Sequence, residues 1–354
     1  MDEHEKETID KHSLMWQYIK RKKQKIARRK RRRFFGCLIY LLISIAIFAF
    51  IVLASYTVVR WGGQLYHAYQ SARQGYEQRQ EAWRGPIDPK FDAYTNVLVL
   101  GIDDGADAQS KGSQHADVVL LASTENATGK VRFVSIPPNT WVAYPNSRRS
   151  GRISGIYQKE GAPGMVRAVN QLLGISVHQY VILDMKTFSD LMDVLGGINV
   201  YVEGEMNYED KSAGLSIHLK QGYQHLSGEQ AQEYLRYRSP ELGEVGRVQR
   251  QQKFLKLLYK RILKVDTIPK LPQIAEILKN DTQTSAEIFD SAHLANVARS
   301  LSKETPTTLM LPGDQGKGDV WLPDTGRIEE KIQEFFPPET SHDDHDDKEE
   351  QGKK

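Results

Sequence analysis

Cysteine is almost absent from this chain of 354 residues, since only Cys37 is present. A single cysteine excludes an internal disulfide framework and a metal site built from several cysteines. Formal charge is absent from residues 34–59, an apolar run rich in Ile, Leu, Val, Phe and Ala. A helix of that length exceeds a bilayer core of about 30 Å, so the run predicts one transmembrane helix. It is too long for a cleaved signal peptide.

Positive charge is concentrated just before the apolar run. Residues 1–33 carry 13 Lys and Arg against 5 Asp and Glu, whereas the whole chain has a net charge of only +3. The positive-inside bias places this basic tail in the cytoplasm and the C-terminal part of the chain outside the membrane. We interpret the tail as a contact for anionic lipid rather than for nucleic acid. Residues 60–93 are predicted to form a helical stalk and linker.

The segment 94–336 alternates apolar strand-like runs with helical patterns, which is typical of an α/β fold with a mostly parallel or mixed sheet. A capping-box pattern from Ser227 to Gln230 predicts a further short helix. The last residues, 337–354, contain seven acids and are predicted to form a disordered acidic tail. The predicted strands are Asn96–Ile102, Val118–Ala122, Val131–Ile136, Tyr180–Leu183, Ile198–Val202 and Thr307–Leu311, and the predicted helices are 163–173, 186–195, 270–279, 285–301 and a last one that reaches Phe336.

Four arginines fall within the nineteen residues from Tyr234 to Gln252. If Tyr234–Arg238 is extended, Arg236 and Arg238 point the same way. Planar guanidinium groups bind phosphate at two points, so the segment predicts a site for a ligand with several negative oxygens. A solvated basic helix with ordinary salt bridges is the alternative. The following helical pattern places three polar residues on one face, namely Arg247, Arg250 and Gln251.

Two acids flank the first predicted strands. Asp103 follows Asn96–Ile102, and Asp117 precedes Val118–Ala122. Ligands of open α/β sheets bind beyond the carboxyl ends of strands, where Asp103 falls. Carboxylates near a pyrophosphate can hold Mg²⁺ or accept a proton from an attacking hydroxyl. Both acids are therefore candidate metal ligands and catalytic residues, with a capping role as the alternative for each.

Four blocks, in order, resemble the LytR–CpsA–Psr family. They are NVLVLGIDD at 96–104, HADVVLLAS with VRFVSIPPNTWV at 115–123 and 131–142, the run RISGIY to INVYV at 152–202, and YLRYRSPELGEVGRVQRQQKFL at 234–255. The resemblance implies an extracytoplasmic α/β domain with a three-layer mixed sheet flanked by helices and a long hydrophobic pocket. It also implies transfer of a glycopolymer from a polyprenyl-pyrophosphate carrier to a peptidoglycan hydroxyl, with release of polyprenyl phosphate.

The resemblance also implies roles for the candidate residues. Asp103 and Asp117 match acidic positions of the family and are implied, with Arg247, as catalytic. Mg²⁺ or another divalent cation is the implied cofactor, held by the two acids. The implied partners are the polyprenyl-pyrophosphate-linked glycopolymer, peptidoglycan and the lipid bilayer, with no nucleic acid. The residues implied to bind the pyrophosphate are Arg152, Arg236, Arg238, Arg247, Arg250 and Gln251. For the prenyl chain the candidate lining, or else an ordinary core, is Leu172, Leu173, Ile175, Leu191, Met192 and Leu195.

The sequence departs from the family pattern at the SIPRDT block, where Pro138 and Asn139 replace an arginine and an aspartate. Proline has no N–H to donate. Two alternatives to a transferase therefore stay open. One is a weakened enzyme that binds carrier lipid or glycan in the envelope. The other is a transcriptional regulator, which the family's older name suggests but which no helix-turn-helix pattern supports.

Overall fold

A computed structural model describes residues 86–103, 115–210, 215–285 and 291–337, together with isolated positions between 47 and 84. The chain divides into two units, Met1–Gln78 and Arg79–Lys354, and the isolated positions described in the first unit are helical. The basic tail at 1–33, the acidic tail from 338 onward and much of the predicted membrane run at 34–59 lie outside the described residues. Among the residues that are described, no helix has both the length and the apolar character needed to cross a membrane.

The larger unit is built on a six-stranded mixed sheet. Its first three strands are antiparallel neighbours, a fourth runs parallel to the first, and a fifth runs parallel to the third. A short sixth strand pairs antiparallel with the fourth. In chain order these strands are β1 (Tyr94–Asp103), β2 (His115–Glu125), β3 (Val131–Ile136), β6 (Gln179–Asp184), β11 (Gln283–Thr284) and β12 (Thr307–Met310). Their order across the sheet is β11–β6–β1–β2–β3–β12.

The continuous apolar runs form strands because helices cover both faces of this sheet. On one face, residues such as Leu98, Leu121 and Val134 are fully buried against two helices. Each such side chain contributes roughly 1.5–3 kcal/mol relative to exposure. The helices of the larger unit are α1 (Ser154–Leu173), α2 (Met185–Leu195), α3 (Gly228–Arg236), α4 (Gly243–Ile262), α5 (Leu271–Asp281), α6 (Ser291–Ser300) and α7 (Thr325–Phe335), of which α1 and α7 cover the face just described.

The predicted helices are present, and two differences from the prediction have identifiable reasons. The predicted helix 285–301 is described as α6, Ser291–Ser300, while residues 286–290 lie outside the described residues. Helix α1 begins nine residues before the predicted 163, because the chain continues through a kink at Gly161, whose φ of 62° suits glycine. The condition that Tyr234–Arg238 is extended is not met, since residues up to Arg236 form the last turn of α3. The observed Ser227 capping box starts this helix, and fully buried Tyr234 secures its packing. Tyr237 leaves the helix with φ −59° and ψ 133°, and Arg238 follows outside any helix or strand.

Within the described residues, four two-stranded ribbons lie outside the central sheet. The predicted strand Ile198–Val202 exists as β7, but it pairs outside the central sheet with β10 (Gly222–Leu226). Most strands of these ribbons were not predicted because they are short and largely exposed, so they lack a continuous apolar run. The ribbons are β4 (Trp141–Ala143) with β5 (Ser150–Arg152), β7 with β10 (Gly222–Leu226), β8 (Met206–Asp210) with β9 (Leu215–Leu219), and β13 (Gly313–Gly316) with β14 (Val320–Pro323).

Strand directions bring several chain segments to one edge of the central sheet. The carboxyl ends of parallel β1 and β6 lie there, with Ile102 opposite Asp184. The start of antiparallel β2 and the end of β3 lie at the same edge, since Val119 pairs with Ile136. The loop that follows β3 and contains Pro138 therefore leaves the sheet beside the start of β2.

Candidate active site

A cavity of about 600 Å³ lies between the second face of the central sheet and helices α2, α3 and α4. Its sheet wall consists largely of alternate residues, because neighbouring strand side chains point to opposite faces. Val99 and Leu120 form one cross-strand pair of this wall, and Ala122 and Phe133 form another. Helix α4 supplies residues at helical spacing, which are Arg247, Gln251, Phe254, Leu255, Leu258, Tyr259 and Ile262. This size and apolar character are usual for a small-molecule site.

A second recess, of about 450 Å³, adjoins the apolar cavity. Asp117, Pro138 and Arg238 line both spaces, so these three residues mark the junction. The second recess is polar, and its other lining residues include His115, Asn139, Arg152, Lys159 and Asp319. A ligand with an apolar tail and a polar head would find matching surroundings on the two sides of this junction.

A β-bulge presents Asp117 at the junction. Gly101 pairs with Val118 and Ile102 pairs with Ala116, so Asp117 is the extra residue of β2. A bulge redirects a side chain and is common beside active sites. Asp103 ends β1, where its backbone pairs with His115, two residues from Asp117. The backbone thus brings the two predicted acids to adjacent strands, while the side chain of Asp103 lies outside the described residues.

A buried carboxylate organises two of the arginines. The side chain of Glu244 is only 1% exposed, and its Oε1 accepts hydrogen bonds from Nε and Nη2 of Arg247 at 3.1 and 2.6 Å. Nη2 of Arg238 lies 3.1 Å from Oε2. A buried charge is costly unless it is paired, so the two guanidinium groups stabilise Glu244 and Glu244 fixes their directions. Its spacing of three residues from Arg247 on a helix was the available sequence signal.

Arg250 occupies a different place from the other predicted arginines. It is buried outside the cavity lining, and its Nη1 donates to the carbonyl of Tyr237 at 2.6 Å. Its guanidinium also lies over the rings of Tyr234 and Tyr237, at 5.6 and 5.3 Å. Burial lowers the pKa of Arg250 from its ordinary value. The group thereby braces the segment between α3 and α4. The predicted ligand-binding residues that do line the cavity are Arg236, Arg238, Arg247 and Gln251.

The polar recess contains one contributor that sequence patterns did not indicate. Asp319 lies in the turn between β13 and β14, with Oδ2 3.6 Å from Nη1 of Arg238. Predicted Arg152 lines the same recess, where Nη2 donates to the carbonyls of Gly318 and Asp319 at 3.0 and 3.2 Å. The long chain separation between these residues hides the contact from any local pattern.

The prediction of a prenyl tunnel lined by six residues of α1, α2 and their flanks was wrong, because none of the six borders the cavity. The alternative, an ordinary core, is confirmed for the buried members. Leu173 and Ile175 belong to the core under the opposite sheet face, and Met192 and Leu195 belong to the core near β7. The six residues are Leu172, Leu173, Ile175, Leu191, Met192 and Leu195.

The site offers oxygen donors for a divalent cation. Asp117 is the carboxylate described at the junction, and no cluster of three or more His, Cys, Asp or Glu is placed to hold a metal in the described part of the chain. Mg²⁺ is commonly bound through one or two carboxylates together with substrate phosphates. The residues present therefore fit a cation that arrives with, or is completed by, a phosphate ligand.

Comparison with known proteins shows the family of the chain. The family model described as "LytR_cpsA_psr family" matches residues 64–344. The chain belongs to the LytR–CpsA–Psr family. It is 28% identical over 309 residues to the polyisoprenyl-teichoic acid–peptidoglycan teichoic acid transferase TagV of Bacillus subtilis (strain 168), which covers 82% of this chain and 78% of TagV.

Solved structures of the family share the mixed α/β fold. The crystal structure of B. subtilis TagV superposes with a TM-score of 0.57 at 25% identity and covers 69% of this chain and 97% of that one. A structure of TagT bound to LI-WTA gives a TM-score of 0.54 at 19% identity, covering 71% and 94%. The likeness to TagT concerns the fold alone. It agrees with the central mixed sheet and flanking helices described above.

Within this LytR–CpsA–Psr fold, the departure at Pro138 falls at the junction itself, since Pro138 lines both the cavity and the recess. The neighbouring Asn139 is 5% exposed and lines the recess. Its Nδ2 donates to the carbonyl of Asp319 at 3.1 Å. Asn139, which replaces the aspartate of the family pattern, therefore contacts the β13–β14 turn.

Proposed function

We propose that this chain is a LytR–CpsA–Psr glycopolymer transferase that moves a glycopolymer from a polyprenyl-pyrophosphate carrier to a hydroxyl of peptidoglycan. The observation that carries the proposal is the junction between an apolar cavity and a group of arginines beside Asp117. The name of TagV, which states a polyisoprenyl-teichoic acid–peptidoglycan teichoic acid transferase, supports the same reaction class. We also propose an extracytoplasmic site anchored by residues 34–59.

The two spaces suggest how the donor binds. The prenyl chain occupies the apolar cavity, where burial of hydrocarbon is favourable in proportion to its area. The pyrophosphate lies at the junction, within reach of residues from α3, α4 and the segment between them. Guanidinium groups held in fixed directions stabilise phosphate charge without reorganising during the reaction. The residues proposed to contact the pyrophosphate are Arg236, Arg238, Arg247 and Gln251, with Arg250 and Arg152 acting through the backbone segments they hold.

The proposed reaction is a phosphoryl transfer. The acceptor hydroxyl oxygen forms a bond to the sugar-linked phosphorus, and the bond from that phosphorus to the bridging oxygen breaks. Polyprenyl phosphate leaves with the electron pair, and Arg238 and Arg247 offset its developing charge. One of the two acids, Asp103 or Asp117, would hold Mg²⁺, which would neutralise phosphate oxygens when bound. The carboxylate that is not engaged by the cation accepts the proton of the attacking hydroxyl.

The test uses the full-length chain in detergent with a polyprenyl-pyrophosphate-linked glycan and a peptidoglycan acceptor. Release of polyprenyl phosphate should require Mg²⁺ and should fall by about 10²-fold or more in Asp117→Ala, the range expected for loss of a general base. Arg247→Ala should show a loss of similar size. The control is Asp190→Ala, since Asp190 pairs with Lys186 on the surface of α2, away from the cavity lining. Unchanged release by Asp117→Ala would refute the assignment.

The position of Pro138 favours a second candidate, an envelope protein that binds the carrier lipid without turnover. Pro138 lines both spaces yet has no N–H to donate to a phosphate. This candidate predicts tight binding of the lipid-linked glycan, no release of polyprenyl phosphate, and gain of release in Pro138→Arg. Release by the wild-type chain that Pro138→Arg does not increase would exclude it.

A further inference from the structure

The turn between β13 and β14 is fastened over the polar recess. Arg152 donates to the carbonyls of Gly318 and Asp319, and Asn139 donates to the second of these carbonyls. The backbone of Trp321 in turn donates to the carbonyl of Asn139 at 3.1 Å. Asp319 has a φ of 54°, the only positive φ among the described residues other than glycine. Aspartate tolerates this conformation better than most residues, and the surrounding contacts hold it there.

Asn139, which lines the recess, carries an unused hydrogen-bond acceptor. Its amide is oriented by the carbonyl of Asp319, which can only accept and therefore faces Nδ2 rather than Oδ1. Oδ1 is buried and has no hydrogen-bond partner within the described part of the chain. Buried acceptors are nearly always paired, so an unpaired acceptor on a residue that lines a recess needs an explanation. A ligand that donates a hydrogen bond would supply one.

Three cations line the recess, and the structure gives each of them a contact within the chain. Nζ of Lys159 lies 4.7 Å from the ring centre of Tyr144. Arg238 lies between the carboxylates of Glu244 and Asp319, at 3.1 and 3.6 Å. Arg152 is committed to the carbonyls of the turn. The carboxylate of Asp319 is half exposed and accepts only weak contacts at 3.4 Å from nearby amides. Asp319 and Asn139 therefore retain unused acceptor capacity, which matches the hydroxyl groups of a sugar.

We propose that Asp319 and Asn139 bind the hydroxyl-bearing sugar of the acceptor glycan and so direct its attacking oxygen toward the junction at Asp117. This inference rests on the proposed transferase function and adds to it the place of the second substrate. The donor enters from the apolar cavity, and the acceptor lies in the polar recess. Asp117, which lines both spaces, stands where the two substrates meet.

The test separates the two half-sites in the full-length chain. In Asp319→Gly the side chain is lost while glycine adopts a φ of 54° without strain, so the turn is kept. Two reactions are measured on the same lipid-linked donor, hydrolysis with water as acceptor and transfer to a soluble peptidoglycan glycan fragment. We expect the KM for the fragment to rise about tenfold or more, with partial recovery in Asp319→Asn. Hydrolysis and the KM for the donor should change much less than transfer does, so that the ratio of transfer to hydrolysis falls.

Asp314→Asn is the matched control, because Asp314 belongs to the same hairpin but pairs with Arg327 outside the recess lining. An equal fall of hydrolysis and transfer in Asp319→Gly would show that Asp319 acts on the donor through Arg238, and it would overturn the proposal. Unchanged transfer would overturn it as well.

If neither hydrolysis nor transfer occurs, the proposed transferase function is rejected. The proposed glycan site is then tested by direct binding of the same fragment. Calorimetric binding to the wild-type chain that is weakened about tenfold in Asp319→Gly would support the glycan site. Equal binding by both, or no binding to the wild-type chain, would refute it.

Discussion

Replacing Glu244 with glutamine should destabilise the folded protein and, at the same time, increase its stabilisation by pyrophosphate. Oε1 of Glu244 accepts two hydrogen bonds from Arg247, a side chain only 7% exposed, and Oε2 pairs with Arg238, which is 46% exposed. Removing one partner of a buried ion pair costs about 3–5 kcal/mol. Glutamine keeps one acceptor oxygen, and solvent screens the Arg238 contact, so we expect a loss of about 3 kcal/mol.

The larger stabilisation by pyrophosphate follows from the same charges. Without the carboxylate, two guanidinium groups face the junction without their anionic partner, and an anionic ligand there replaces the missing charge. A ligand that binds only the folded state stabilises it by RT ln(1 + [L]/Kd), so tighter binding gives a larger increase in Tm. Inorganic pyrophosphate, the simplest probe of the junction, should therefore raise the Tm of Glu244→Gln more than that of the wild-type chain.

Thermal unfolding followed by circular dichroism measures both effects. A loss of about 3 kcal/mol corresponds to a decrease in Tm of about 6–12 °C, since a domain of this size shifts by about 2–4 °C per kcal/mol. Glu241→Gln is the matched control, because Glu241 is exposed three residues earlier in the chain. The reasoning is refuted if the Tm of Glu244→Gln lies within about 2 °C of the wild-type value. It is also refuted if pyrophosphate raises the Tm of Glu244→Gln by less than it raises the Tm of the wild-type chain.

Two further predictions concern the cavity and a buried histidine. Ala122→Phe should fill part of the apolar cavity and raise the Kd for a prenyl phosphate at least about tenfold, as measured by fluorescence titration. The control Ala143→Phe, on the exposed β4, should leave this Kd unchanged. Equal affinities of the two variants would contradict the assigned lipid site. His178 accepts the backbone N–H of Asn96 through Nδ1 at 3.0 Å, and burial lowers its pKa to about 4. Since the unfolded pKa is about 6.5, this stabilisation is complete above about pH 6.5 and is lost as the pH falls through 4. Denaturant titrations should show a flatter pH dependence for His178→Asn, and a slope as steep as that of the exposed control His218→Asn would refute the assignment.

Local patterns predicted those parts of the fold whose cause lies within a few neighbouring residues. The apolar run Asn96–Ile102 forms a strand because both of its faces are covered, and the Ser227 capping box starts α3 where the hydroxyl reaches the amide of Gln230. The concentration of arginines between Tyr234 and Gln252 is equally local, and the anion site that it indicates stays a prediction.

Local patterns failed where the outcome depends on distant segments. Tyr234–Arg236 joined a helix because Tyr234 packs against α4, with its ring 6.3 Å from that of Phe254. Arg250 has the same helical spacing as its neighbours, yet packing turned it toward Tyr237 rather than the cavity. Spacing on a helix defines a face, but it does not say whether that face meets a ligand space or another part of the chain.

The sequence by itself thus determined the family, the strands buried on both faces, the start of α3 and the presence of clustered cations and acids, because each depends on residues close together in the chain. Only the tertiary structure decided which sheet face borders the cavity, which arginines reach it and that Asp319 joins them from a distant hairpin. These outcomes depend on strand order and helix packing. Both are set by contacts between residues far apart in the chain, and no local spacing encodes them.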